Sequence, residues 1–94
     1  MSENNGKVGR RMGILERRRL GLTFGNIARV AKDLKSKGQL AEDPTIAAGQ
    51  IMAQIAAENP KTYAEPGVDW DAILEFIEAL LPIILQIIEM FSAF

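Results

Sequence analysis

The carboxylates Asp69, Asp71, Glu75 and Glu78 form the one cluster in this sequence whose residue types could hold a hard metal ion or work as general acids and bases. Their spacing argues against both. It lacks the interval and the glycine of a calcium loop, and Asp69 and Asp71 sit where a helix start wants a capping acceptor and a negative charge. Glu75 and Glu78 share a helical face, but the chain contains no histidine to complete a carboxylate-bridged metal bundle. With no cysteine either, thiol chemistry, imidazole or thiolate metal sites and the imidazole base of nucleophilic triads are all excluded. The glycine-rich "GKVGRRMG" has neither the spacing of a phosphate-binding loop nor a strand before it. The expectation is a protein without catalytic residues, metal or cofactor, not an enzyme.

Positive charge is the second available chemistry. Lys7, Arg10, Arg11, Arg17, Arg18 and Arg19 crowd the first twenty positions, and Arg29, Lys32 and Lys35 follow on the next segment. Residues 1–40 hold ten Lys and Arg against three acids, a net of +7, whereas residues 41–94 hold Lys61 against nine acids, a net of −8. The overall charge of −1 therefore hides a bipolar chain. Its basic end suits nucleic acid or an anionic lipid surface, bound with salt-sensitive affinity and little sequence preference. Alternatively the two halves neutralise each other, within one molecule or between copies. No zinc finger or stacking aromatic pair accompanies the cations, and the second helix is too poor in charge to be a DNA recognition helix.

The elements that must position these groups are helices. Residues 1–22 are rich in Gly, Arg and polar side chains without a sustained period and read as a flexible basic arm, and no secretory signal is expected there. A helical hairpin is predicted over 23–59. Thr23 or Asn26 caps its first helix and Gly38 supplies the left-handed stop, with Phe24, Ile27, Ala28, Ala31 and Leu34 on one face. Asp43 caps the second, Pro44 occupies its first turn, and Asn59 with Pro60 ends it. Ala48, Ile51, Met52, Ile55 and Ala56 form its buried stripe. Beside it Gly49, Ala53 and Ala57 make a row of small residues four apart, suited to close approach of another helix. Residues 60–68 read as a loop turning at Pro66 and Gly67.

Residues 69–94 predict a long apolar helix, about 37 Å from Trp70 to the end and so long enough to cross a bilayer core of about 30 Å. Glu75, Glu78, Pro82, Gln86 and Glu89 recur at intervals of 3, 4, 4 and 3, drawing one polar stripe along it. Proline in mid-helix frees the carbonyl four residues back, so the helix is expected to kink near Pro82. The rest of its surface is apolar, more than two short helices are expected to cover. Ile73, Ile77, Leu80, Leu81, Ile84, Ile87, Ile88 and Phe91 are therefore assigned to an oligomer or membrane face. Insertion energetics do not decide between these. Thirteen Ile, Leu and Phe side chains contribute at most about −4 to −8 kcal/mol, offset by three acids that would each cost about +2.5 to +3.5 at the helix centre.

Two readings follow. In the preferred one this all-α chain is a structural or assembly protein that forms a homo-oligomer or joins a larger protein assembly through its C-terminal helix, while the arm contacts an acidic partner. It would then reside in the cytoplasm or within a macromolecular assembly. In the alternative, a small membrane-inserting or pore-forming protein carries a tail-anchor-like helix, with its N-terminus cytoplasmic and its polar stripe hidden among copies. The layout of basic arm, small helical middle and apolar C-terminal helix looks like that of small accessory proteins of viruses or bacteriophages, which implies a structural role.

Overall fold

The computed structural model describes residues 13–92, and among them every regular element is helical. In chain order these are α1 (Ile14–Arg19), α2 (Phe24–Ser36), α3 (Pro44–Glu58), α4 (Pro60–Tyr63) and α5 (Trp70–Ser92). The hairpin of α2 and α3 and the long final helix match the expected all-α class.

Each main boundary has a local cause. The Asn26 amide donates to Thr23 Oγ1 at 3.2 Å, opening α2. The helix closes with Gly38 at φ +70° while the Gly38 and Gln39 amides return to the carbonyls of Lys35 and Leu34, a Schellman stop. Asp43 Oδ1 accepts from the amides of Thr45 and Ile46 at 2.8 and 3.1 Å, satisfying two orphan donors at the start of α3. Asp69 Oδ1 does the same for Ala72 at 3.0 Å. The linker between α2 and α3 is held by Gln50, whose side chain accepts from the Ala41 amide and donates to the Gln39 carbonyl.

Helices α2, α3 and α5 pack together around one core, α5 chiefly against α3 and then against α2. From α2 come Ile27, Val30 and Ala31; from α3 come Ala47, Ala48, Ile51 and Ile55; from α5 come Ile73, Ile77, Leu81, Ile84 and Ile88. The α2 face is thus rotated from the expected one: Val30 is inside, while Phe24 is exposed. α5 continues helical through Pro82, which lies on its exposed side, so the carbonyl that proline releases can face water.

The main departure from the expected layout concerns residues 13–22. The expected arm contains α1, and Leu20 and Leu22 at its end are core residues. Gly21 at φ +76° ends α1 with the same Schellman pattern as α2, the amides of Gly21 and Leu22 returning to the carbonyls of Arg18 and Arg17. That stop turns the chain inward. The buried Tyr63 hydroxyl then donates to the Leu20 carbonyl at 2.7 Å, joining α4 to the end of α1. The stretch expected to be a loop after α3 accordingly starts with the single turn of α4, which delivers Tyr63 to the core.

Candidate interaction surface

Most of the assigned oligomer or membrane face has a different destination. Ile73, Ile77, Leu81, Ile84 and Ile88 are buried in the chain's own core under α2 and α3, so the expectation that the folded chain cannot cover them is corrected. Leu80 and Ile87 are half-buried and Phe91 is exposed. Leu80 and Ile87 belong to a second longitudinal strip distinct from the core strip, and Phe91 lies beside it. Phe76, Leu80, Ile83, Ile87 and Met90 follow one another at intervals of 4, 3, 4 and 3, the heptad spacing of a helix–helix seam. Ile83 is 50 % exposed, Met90 62 % and the adjoining Phe91 69 %. The C-terminal half of this strip is therefore largely open, although its residues are those of a core.

The N-terminal half is partly covered by α1. Ile14, Leu22, Phe24, Phe76 and Leu80 line an open groove of about 350 Å³, with Arg17, Arg18 and Thr23 completing its walls. Arg17 lies over the Phe76 ring at 5.1 Å, a cation–π contact joining α1 to α5. Tyr63 stacks obliquely on Trp70 at 5.5 Å. Burial pushes the Tyr63 hydroxyl up to about 12, so it stays protonated as the donor to Leu20.

The cations divide by what they touch. Arg19 reaches Glu65 at 2.7 Å, and Arg29 reaches Glu58 at 2.6 Å while also donating to Asn26. Both ion pairs join the basic half of the chain to the acidic half, so part of the charge asymmetry is neutralised within one molecule. The hydrogen bond from Arg29, with a further one from Gln54, holds the Glu58 carboxyl below its ordinary range. Arg18, Lys32 and Lys35 are exposed and make no ion pair among the described residues. Lys7, Arg10 and Arg11 lie outside the described residues.

The polar stripe lies on the outer side of α5: Glu75, Gln86 and Glu89 are exposed, and the half-buried Glu78 accepts from the Thr45 hydroxyl at 2.7 Å. The small-residue row does not serve as a helix crossing within this chain. A Cβ on Gly49 would meet nothing within 4 Å, and Ala53 and Ala57 are exposed, because α5 crosses α3 on the Ala48–Ile51–Ile55 face instead. No group of three or more acids among the described residues is arranged to hold a metal ion. Likewise, none of the helices there is long and apolar enough to cross a membrane.

Sequence reasoning missed Val30, Leu20, Leu22 and Tyr63 as core residues and Ile83 and Met90 as the most open members of an apolar strip. The 4-3-4-3 spacing of that strip was present as a signal. It overlapped the core strip on a helix with little polar contrast between them.

Comparison with protein-family models, with curated proteins and with solved structures gives no match to this chain.

Proposed function

We propose that this protein is a non-enzymatic assembly protein that associates with other copies through the outer apolar strip of α5, and that its exposed cations contact an acidic partner. The observation that carries the reading is the strip itself. An apolar row at heptad spacing, with Ile83 and Met90 half or more exposed and Phe91 exposed beside it, leaves water against side chains that a second helix would cover. Each such large side chain is worth about 1.5–3 kcal/mol when fully removed from water, so covering a few of them favours association. Arg18, Lys32 and Lys35 remain available to an acidic partner, whereas Arg17 lies on the Phe76 ring and Arg19 and Arg29 are already paired with Glu65 and Glu58. A structural role inside a larger assembly, such as an accessory protein of a virus particle, fits this division of labour.

The test is the mass of the detergent-free protein by size-exclusion chromatography with light scattering, for wild type and for Ile83→Asp. The expected result is a concentration-dependent oligomer that Ile83→Asp reduces to monomer with its helical circular dichroism intact. A wild-type monomer at every concentration would defeat the reading. Ile84→Asp is unsuitable as a test, because that side chain is fully buried in the monomer core and its loss would unfold the chain.

A further inference from the structure

Resting on that reading, we infer that the strip pairs with a second copy in antiparallel, two-fold fashion, each C-terminal end of α5 seating in the groove that α1 and α2 build beside the N-terminal half of the partner's α5. The two ends of the strip are unlike, and they complement each other. At one end the groove offers about 350 Å³ between Ile14, Phe24, Phe76 and Leu80, with Arg17 and Arg18 in its walls and no acid among its lining residues. At the other end Met90 and Phe91 project from a helix whose last turn has no basic residue.

Charge favours the same arrangement. A helix C-terminus carries a partial negative charge from its unpaired carbonyls, and α5 offsets none of it with its own side chains. Arg18, which makes no ion pair among the described residues, is placed to meet it from the partner's groove. A parallel pair would instead set two like helix ends and two like cationic grooves side by side. Immediately beside the strip Ala79 and Gln86 are neutral, and the acids Glu75 and Glu89 lie further round on the polar stripe.

Heptad spacing then sets the register. In an antiparallel pair the 4-3-4-3 intervals of the two copies coincide when Leu80 meets the partner's Met90 and Ile83 meets the partner's Ile87. This places Met90 and Phe91 at the groove, whose lining includes Leu80. The partner therefore completes a site that is half-built in one copy. In the antiparallel pair the two Met90 positions stand about 15 Å apart along the axis, whereas in a parallel pair they adjoin.

The chain lacks cysteine, so introduced thiols are its sole thiols. The experiment mixes full-length Met90→Cys and Leu80→Cys copies distinguishable by mass, oxidises them mildly, and compares the products with each variant alone, after circular dichroism confirms both folds. The expected result is a trapped mixed dimer and little trapping of Met90→Cys with itself. Arg18→Glu should raise the dimer Kd by at least about two- to five-fold, less so in high salt. Efficient Met90→Cys self-trapping, or no mixed product from a sample whose mass is dimeric, would overturn the antiparallel arrangement while leaving the strip as the interface. A dimer unaffected by Ile83→Asp would locate the interface elsewhere and remove both readings, as would a monomer throughout.

Discussion

The inner and outer strips of α5 are built from the same residue types and have opposite relations to solvent. Ile73, Ile77, Leu81, Ile84 and Ile88 are closed off by α2 and α3, while Ile83, Met90 and Phe91, within one helical turn of them, are half or more exposed. Between these extremes lie Phe76 and Leu80, half-covered by α1. The difference teaches that hydropathy along a helix measures how much surface must be covered and says nothing of what covers it. On α5 the chain's own helices cover one strip and leave much of the other in contact with water.

Truncation separates the strips most strongly. Ile77→Ala empties a fully buried site and should cost about 2–5 kcal/mol in urea unfolding, whereas Ile83→Ala should stay within about 0.5 kcal/mol at concentrations where the chain is monomeric. Equal losses at the two positions would mean that the outer strip is also internal structure and that the two strips do not differ in kind.

Tyr63→Phe sharpens the contrast by acting on the tie at the end of α1. Its hydroxyl is the donor to the buried end of α1, and leaving the Leu20 carbonyl without it should cost about 1–3 kcal/mol. The sign with pH follows from the raised value. In the unfolded chain the phenol ionises near 10, in the folded chain near 12, so its contribution is complete below pH 10 and is lost as pH rises towards 12. The stability gap between wild type and Tyr63→Phe should therefore shrink over that window. Tyr63 is the chain's one tyrosine, so its ultraviolet titration reports this group directly. A midpoint near 10 in the folded protein would show that the hydroxyl is not held as described.

A smaller loss is expected from Gly21→Ala. Its φ of +76° costs an L-residue about 1–2 kcal/mol, and the new Cβ would lie 3.2 Å from Asn59 Nδ2 and 3.3 Å from Asn26 Nδ2, so those amides must also give way. Gly38→Ala has a similar φ with open space around it, and should cost less. Because Gly21 turns the chain from α1 into the core, the variant should also raise the hydrogen exchange of α1 more than that of α3. Equal exchange would detach α1 from the covering of Phe76 and Leu80.

Much of this fold was legible where a boundary depends on one side chain and its own backbone. Thr23, Asp43 with Pro44, Gly38 and Asp69 each fix a helix end through contacts within a few residues, and all four stand where expected. α1 escaped because six residues are too few to show a period, although Gly21 between two leucines and three arginines in the preceding turn were a helix stop in plain view. The inner strip of α5 was illegible for another reason. With apolar residues over most of the helix, the choice of Ile84 over Ile83 as a core residue depends on where α2 and α3 lie, a tertiary fact. The groove shares that origin, since it joins Ile14, Phe24 and Leu80 from three elements.

The smallest expected effect belongs to a contact that touches neither strip. Arg29 and Glu58 join α2 to α3 on the exposed side, 29 positions apart in sequence, and exposed pairs are worth about 0–1 kcal/mol because water and salt screen them. Glu58→Gln should therefore lower stability at neutral pH by no more than that, and the difference should fade in high salt. The hydrogen bond from Arg29 lowers the Glu58 value, so the stabilisation is present above the ordinary carboxylate value of 4.5 and disappears as pH falls through the lower folded one. Urea unfolding of wild type and Glu58→Gln at neutral and strongly acidic pH tests this, with coincident curves expected in acid. The same variant should leave the oligomer mass unchanged, since its side chain lies on neither strip of α5. A changed mass would extend the association surface to the outer side of the α2–α3 hairpin and end the assignment of α5 as its sole carrier.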